Sequence, residues 1–393
     1  MAGLLADARQ ISVGVIGTGF AASSHVDALR RVAGVDIVAI AGRTPQRAAA
    51  AAGALGINRS VGDWRELVED GGIDAIHNCT PNHLHTQINT AVLAAGKHLL
   101  SEKPLGMDAA ETAELARRAA GAGVVSGVCF NYRHFPLVQE ARVQMAAEAG
   151  PPHLIRGGYL QDWLLEDTDW NWRLDSSQAG ATRALGDIGS HWIDLIQHVT
   201  GRRLGRVYAR LGRLHDVRRR PVAAGQTFGR AANADGEAVQ VDTEDFATTM
   251  FELEDGCPGV FTVSQVTPGT RNRLSFEIDT RTACLSWDQE RPNRLLIGRR
   301  DGPNQELVRD AALLSEPAAR LVHFPPGHQE GWPDALRNLM DDFYGAIRNG
   351  RETPTTVASF VDAHRVMLAV DAIAESGRRG KWVEVGGRAE VPA

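Results

Sequence analysis

The residues best suited to moving a proton lie in two places. One is Lys103 in Glu102-Lys103-Pro104; the other is a run carrying Asp187, His191, Asp194 and His198 at intervals of three or four. A lysine ammonium can steady an oxygen that is gaining negative charge, and an imidazole titrating near neutrality can accept a proton from a hydroxyl. At about 100° per residue, Ile188, Trp192, Leu195, Ile196 and Val199 fall on one face of a helix, with the acids and histidines in a narrow stripe beside it. Such a helix packs into a core and presents acid, imidazole, acid and imidazole in a row. A structural reading makes Asp187 a helix cap or first-turn acid and joins His191 to Asp194 by a supporting hydrogen bond. For Asp194 and His198 a structural role of that kind is the expectation.

Upstream, Gly17-Thr18-Gly19-Phe20-Ala21-Ala22 follows the apolar run Ile11 to Ile16. Glycines between a strand and a helix let the backbone turn tightly and approach a pyrophosphate, held by exposed N–H groups and the positive helix end. Ala22 stands where a third glycine is common and still allows close packing. Taken alone, the turn is as compatible with plain strand-to-helix geometry. It heads a repeating pattern, however: Val35 to Ile40, Ile73 to Cys79, His98 to Leu100 and Val124 to Phe130 read as buried strands, with helices over Pro45 to Ala52, Leu84 to Ala95 and Ala109 to Ala120. That alternation predicts a doubly wound parallel sheet of the Rossmann type, within an α/β fold. Ligands bind such sheets beyond the carboxyl ends of the strands, so Thr80-Pro81-Asn82 and Glu102-Lys103-Pro104 are expected at one crevice. A dinucleotide turn combined with proton-handling groups suggests hydride transfer.

Beyond about Asn131 the pattern changes. His153 to Leu160, Phe246 to Leu253, Val260 to Val266, Leu274 to Ile278 and Ala283 to Trp287 alternate or are β-branched, with a turn at Glu254-Asp255-Gly256. A large, mostly antiparallel open sheet is expected, with helices over Ala184 to Val199, Pro333 to Arg348 and Val357 to Glu375. The expected division is a dinucleotide-binding domain over residues 10–130 and a substrate-binding and oligomerisation domain over 131–386. Residues 1 to 10 and the tail after Gly386 are expected to fray.

At 393 residues the chain is long enough for two cores. Its formal charge of -6 gives no sign of a nucleic-acid partner, and Arg218-Arg219-Arg220 reads as a solvated loop. Cys79, Cys129, Cys257 and Cys284 are too scattered for a metal motif, and the first two read as small core fillers in a reducing compartment. With neither a long apolar span nor a basic-then-apolar leader, a soluble, cytoplasmic protein with no metal is expected.

The ordered set resembles the Gfo/Idh/MocA family of sugar and polyol oxidoreductases: the glycine turn, Thr80-Pro81-Asn82 with His85, Ala95-Gly96-Lys97-His98 leading into Glu102-Lys103-Pro104, Asn131-Tyr132-Arg133, and the Asp187/His191 helix. The resemblance implies a Rossmann domain followed by an open-sheet domain used for contacts in a homodimer or homotetramer. It also implies a cis Lys103-Pro104 bond and a catalytic set of Lys103, Asp187 and His191. His191 is the chosen base; Lys103 binds the same oxygen and can share the proton; Asp187 orients the sugar or holds His191. Cofactor contacts are expected from Gly17, Gly19, Phe20, Ala21, Arg43, Thr44, Thr80, Asn82, His85, Glu102 and Lys103.

Tyr159-Leu160-Gln161-Asp162-Trp163 and Asp169-Trp170-Asn171-Trp172-Arg173 gather aromatic faces with amide, acid and guanidinium groups, which suits a carbohydrate. An aromatic core cluster is the expectation for Trp170 and Trp172, and a cleft role for Trp163. The segment is similar to that of the family's sugar and glycoside 3-dehydrogenases, which implies sugar contacts from Gln161 and Trp163, with Tyr132 and Arg173 as secondary ones. Gly327-His328-Gln329-Glu330-Gly331-Trp332 reads equally as a loop over the cleft or a plain turn. After the second strand, Gly42 stands where an acid would bind the ribose of NAD; Arg43 and Thr44 follow it, which tilts the expectation toward NADP or dual use, although Arg43 could equally stack on adenine. Three classes remain compatible with these residues. They are a dehydrogenase acting on a ring hydroxyl of a sugar, anhydrosugar, glycoside or inositol; an NAD-dependent glycosidase working through a transient 3-keto sugar; and a catalytically silent cofactor and sugar sensor.

Overall fold

A computed structural model describes residues 10–147, 150–221, 236–350 and 353–386. Of the ends expected to fray, only Gln10 lies among the described residues; the tail after Gly386 lies outside them. The chain forms two compact units, one from Met1–Gly106, Ala110–Asn131 and Trp332–His364, the other from Met107–Ala109, Tyr132–Gly331 and Arg365–Ala393.

In the first unit, six parallel strands lie in the order 3-2-1-4-5-6, from Ser60–Val61 and Val35–Ala41 through Ile11–Ile16 to Ala75–Asn78, His98–Ser101 and Ser126–Val128. The order reverses beside Ile11–Ile16, as in dinucleotide-binding sheets. The linear division at residue 130 needs one correction. Helix Trp332–Arg348 belongs to this unit, because Leu336, Leu339, Met340, Phe343 and Tyr344 share a core with Val13, Val15, Val26 and Leu29. A strongly amphipathic helix buries its apolar stripe where a matching face exists, regardless of chain order.

The second unit carries a nine-stranded sheet, running from Gln305–Val308 through Arg294–Gly298, Cys284–Asp288, Arg273–Thr280 and Pro152–Leu160 to Pro258–Ser264, Phe246–Leu253, Leu204–Gly212 and Val383–Glu384. Only Pro152–Leu160 and Pro258–Ser264 run parallel; every other pair is antiparallel. Burial alternates along Arg273–Thr280 and Phe246–Leu253, so one face is covered. Helix Ser190–Thr200 packs there: Trp192 stacks on Phe261 at 4.3 Å between ring centroids and donates Nε1–H to the Ser275 carbonyl at 3.0 Å. Gly157 makes the approach possible, since a Cβ there would lie 2.3 Å from the Ser275 oxygen and 2.8 Å from Trp192 Nε1.

Two expectations fail in this unit. Arg218-Arg219-Arg220 is not a solvated loop but part of strand Val217–Pro221, paired with Gly236–Gln240, and Arg218 is wholly buried while its neighbours face water. Strand alternation turns one arginine inward, where Asp245 neutralises it. The helix expected over Ala184 to Val199 opens instead as a π-turn, Leu185–Gly189, ahead of Ser190–Thr200.

Candidate active site

In the first unit the glycine turn is built for close approach. Gly17 has φ 124°, and a Cβ on it would stand 2.4 Å from the Cys79 carbonyl oxygen. Gly19 precedes helix Phe20–Leu29 and supplies no side-chain cap, which leaves first-turn N–H groups for an anion. Phe20 is half exposed, 6.0 Å from the Trp332 ring centroid. Gly42 follows the second strand, and a Cβ there would lie 2.9 Å from Ala48 N, so the turn has closed around the missing side chain. Arg43 is exposed; Thr44 caps the next helix by accepting from Arg47 N at 3.2 Å.

Behind Thr80 lies a chain of amides. Thr80 Oγ1 donates to Asn78 at 2.7 Å, Asn78 Nδ2 donates to Asn89 at 2.8 Å, and Asn89 Nδ2 donates to Ser101 at 2.9 Å. Asn82 is nearly buried at the start of a short helical turn. His85, expected among the cofactor contacts, is buried, with Nδ1 2.7 Å from the Pro104 carbonyl and Nε2 2.8 Å from that of Thr80. The ring braces the two loops from behind.

Glu102 and Lys103 end the strand His98–Ser101, and the Lys103-Pro104 bond is cis. Glu102 Oε2 accepts the Lys103 backbone N–H at 3.1 Å, and Oε1 meets His25 Nε2 at 3.0 Å. His25 Nδ1 lies 2.8 Å from His77 Nδ1, and His77 Nε2 lies 2.7 Å from the Tyr344 hydroxyl. Burial alone would raise the Glu102 pKa, but the His25 hydrogen bond and the neighbouring positive charges outweigh it and bring it down to about 2. His25, Glu102 and Cys129 set three donor atoms within 4.8 Å of one another. Burial pushes the Cys129 thiol well up, and His25 and Glu102 bond each other.

In the second unit, His191 lies against two tyrosines. Its ring centroid is 4.9 Å from that of Tyr132, edge to face, and 6.2 Å from that of Tyr159. Tyr159 donates to Asn272 Oδ1 at 2.6 Å, Tyr132 donates to the Tyr159 oxygen at 2.6 Å, and Asn272 Nδ2 returns a bond to Tyr132 at 3.3 Å. Burial pushes the Tyr132 hydroxyl up to about 12 and that of Tyr159 well above its usual value, so both stay protonated and the ring of three bonds closes. Gln161, expected to touch sugar directly, is buried, with Nε2 donating to Asn272 at 2.8 Å and Oε1 accepting from Trp163 at 2.8 Å. It supports the ring and aims Trp163. Trp163 and Trp170 both pack on the small cluster Leu164, Leu174 and Val241, and the Arg173 guanidinium lies 4.6 Å over Trp172.

Asp187 sits in the π-turn, one turn ahead of His191. It is not a cap: that task falls to Glu244, which accepts from Arg183 N at 3.0 Å and Leu185 N at 2.8 Å. The Asp187 carboxylate pairs with Arg173 Nε at 3.1 Å through Oδ1 and accepts from Gln265 Nε2 at 2.9 Å through Oδ2. Asp194 and His198 take structural roles, with Arg133 Nε bonding Asp194 at 2.8 Å and Gln139 meeting His198 at 2.9 Å. Asp194, for which a supporting bond with His191 was the structural reading, is paired with the buried Arg133. Glu330 is likewise buried on Arg309 at 2.7 Å, which anchors the segment ahead of helix Trp332–Arg348. Sequence reasoning missed Asn272 and Gln265, whose only local signal was their place beside strand ends, and named Tyr159 within the aromatic segment without a role of its own.

Two family models match the chain in order, one described as an oxidoreductase family with an NAD-binding Rossmann fold over residues 11–130, the other as a GFO/IDH/MocA C-terminal domain over residues 139–285. Levoglucosan dehydrogenase of Pseudarthrobacter phenanthrenivorans is 30% identical across 96% of this chain and 98% of its own. The structure of levoglucosan dehydrogenase in complex with NADH and levoglucosan matches with TM-score 0.85 at 29% identity, over 96% of this chain and 99% of that one. An oxidoreductase domain protein from Kribbella flavida matches with TM-score 0.87 at 30% identity, over 96% and 100%. With the parallel sheet and its glycine turn followed by the open sheet and its acid–histidine helix, each half matched in its place, the chain belongs to the Gfo/Idh/MocA family of oxidoreductases.

Proposed function

We propose that this protein is an NAD(P)-dependent dehydrogenase acting on a ring hydroxyl of a sugar, anhydrosugar or glycoside, with C3 the first carbon to test. The observation that carries the reading is the Asp187 carboxylate, clamped by Arg173 and Gln265 one turn ahead of a histidine packed on two tyrosines. Oxidising a secondary alcohol needs a base at the hydroxyl proton and a positive group at the oxygen. His191 takes the proton, Lys103 steadies the developing oxyanion, and Asp187 orients the neighbouring hydroxyl, with Trp163 and Arg173 at the sugar's flank. Bound NAD(P) supplies the hydride acceptor, and Gly17, Gly19 and the uncapped helix after them fit its pyrophosphate. Absence of an acid at Gly42, with Arg43 exposed beside it, favours use of NADP alongside NAD. The exposed Met250, Val260 and Leu296 on the open sheet support pairing with a second copy.

The test follows reduced-nicotinamide absorbance while the protein is offered NAD or NADP with levoglucosan, glucose, simple glucosides and inositols. Turnover of one member is expected, and the two rates give the cofactor preference. Changing Lys103→Ala lowers kcat by about 10³-fold with dinucleotide affinity nearly kept. Turnover unchanged in that variant removes Lys103 from the chemistry, and silence across the panel with dinucleotide still bound moves the reading to a glycosidase or a sensor.

A further inference from the structure

Behind Asp187, within the second unit, runs a connected line of side chains that the chemistry above does not use. Gln265 gives its Nε2–H to Asp187 and takes, at Oε1, a bond from Arg183 Nη1 at 2.9 Å. One amide end faces a carboxylate and the other a guanidinium, so only one orientation is tolerable: flipped, oxygen would face oxygen and N–H would face N–H. Arg183 pairs in turn with Asp245, and Arg218 shares that carboxylate at 2.7 Å. Arg218 also donates from Nη2 to the carbonyl of Leu164 at 2.9 Å and from Nη1 to that of Glu166 at 2.8 Å, just after Trp163. The backbone repeats the link, since Leu164 N donates to the Gln265 carbonyl at 3.1 Å and Gln265 N to that of Asp245 at 3.0 Å. Gln265, Arg183, Asp245 and Arg218 are each no more than 1% exposed.

Burying two guanidiniums and an acid is costly even when they are paired, and packed apolar residues of similar volume often serve stability as well or better. Stability alone therefore does not account for the lattice. Its two ends do: one holds the Asp187 carboxylate, the other the backbone that follows Trp163. We propose that Gln265 is a positioning residue for Asp187, locked in orientation by Arg183, and that the line through Asp245 and Arg218 sets the acid and the Trp163 segment as one rigid part. With Arg173 on Oδ1 and Gln265 on Oδ2, the carboxylate plane is fixed before any ligand arrives.

Only the kinetic arm of the test rests on the dehydrogenase reading. Crystal structures of the wild-type and Gln265→Leu proteins need no substrate. The variant is expected to show the Asp187 carboxylate turned out of its present plane; a carboxylate that superimposes on the wild type overturns the proposal whatever the protein acts on. Should the leucine variant fail to fold, the isosteric Gln265→Glu protein serves the same comparison, its new acid facing Asp187 and Arg183. In turnover, Gln265→Leu lowers kcat about 30-fold, as small misplacements of a reacting group do, while NADH affinity stays within about twofold. On an Asp187→Asn background the same change costs less than about threefold. Equal losses in both backgrounds mean that Gln265 acts elsewhere and overturn the proposal. A wild type silent toward every sugar removes the dehydrogenase reading, and the crystallographic comparison still decides the positioning.

Discussion

Glu102 in the first unit and Asp187 in the second are both carboxylates beside residues assigned to proton handling, yet they are held by opposite means. Glu102 ends a line of imidazoles and a phenol, His25, His77 and Tyr344, each joined to the next by one hydrogen bond. Burial, reinforced by His25, keeps the His77 pKa well below its usual value, so that ring carries one N–H and the line runs through a neutral group. Asp187 instead adjoins a lattice of formal charges, with Arg173, Arg183 and Arg218 around two aspartates. The far end of the imidazole line loses about one hydrogen bond when Tyr344 goes, whereas loss of a lattice member takes partners from several buried groups at once.

The largest effect should therefore come from the lattice. Arg218→Met leaves Asp245 with Arg183 alone and strips the donor from the Leu164 and Glu166 carbonyls, and should cost about 3–5 kcal/mol in urea unfolding, against less than about 0.5 kcal/mol for the exposed neighbour in Arg219→Ala. Similar losses for both would break the contrast between the two regions.

Glu102→Gln comes next. Its carboxyl pKa is lowered from 4.5 to about 2 on folding, so the stability it adds is present above about 4.5 and fades as pH falls toward about 2. At neutral pH the variant should lose at most about 3 kcal/mol, and the gap to wild type should close over that acid window. A gap independent of pH would show that the charge of Glu102 contributes nothing.

The smallest effect belongs to the far end of the imidazole line. Tyr344→Phe takes one hydrogen bond from His77 and should cost about 1 kcal/mol, read as a shift in urea midpoint with unchanged slope. A loss as large as that of Arg218→Met would mean that the imidazole line is as cooperative as the arginine–aspartate lattice, and the contrast between the two regions would fall.

How legible the molecule was from its residues followed the same division. The strands Ile11–Ile16, Val35–Ala41 and Phe246–Leu253 lie within a residue of where apolar runs placed them, because burial and period are local properties. The position of Lys103 just after a parallel strand was readable from the apolar run before it. What Glu102 touches was not, since His25, His77 and Tyr344 come from a helix, a strand and a helix far down the chain. Arg218 was misread because a three-residue basic run says nothing about which arginine a strand turns inward. Gln161 was legible as an amide among aromatic residues, but its buried position depends on Asn272, more than a hundred residues later.

The sequence by itself determined the turn at Gly17, the alternation of strands and helices that makes the parallel sheet, and the helix stripe that sets His191 one turn after Asp187. These follow from backbone freedom and side-chain period, which act over a few residues. Only the tertiary structure decided which groups hold those residues: Tyr132 and Tyr159 for His191, Arg173 and Gln265 for Asp187, and the His25 line for Glu102. Hydrogen bonds and ion pairs need atoms within about 3 Å, and strand register and helix docking bring groups scores of residues apart to that distance.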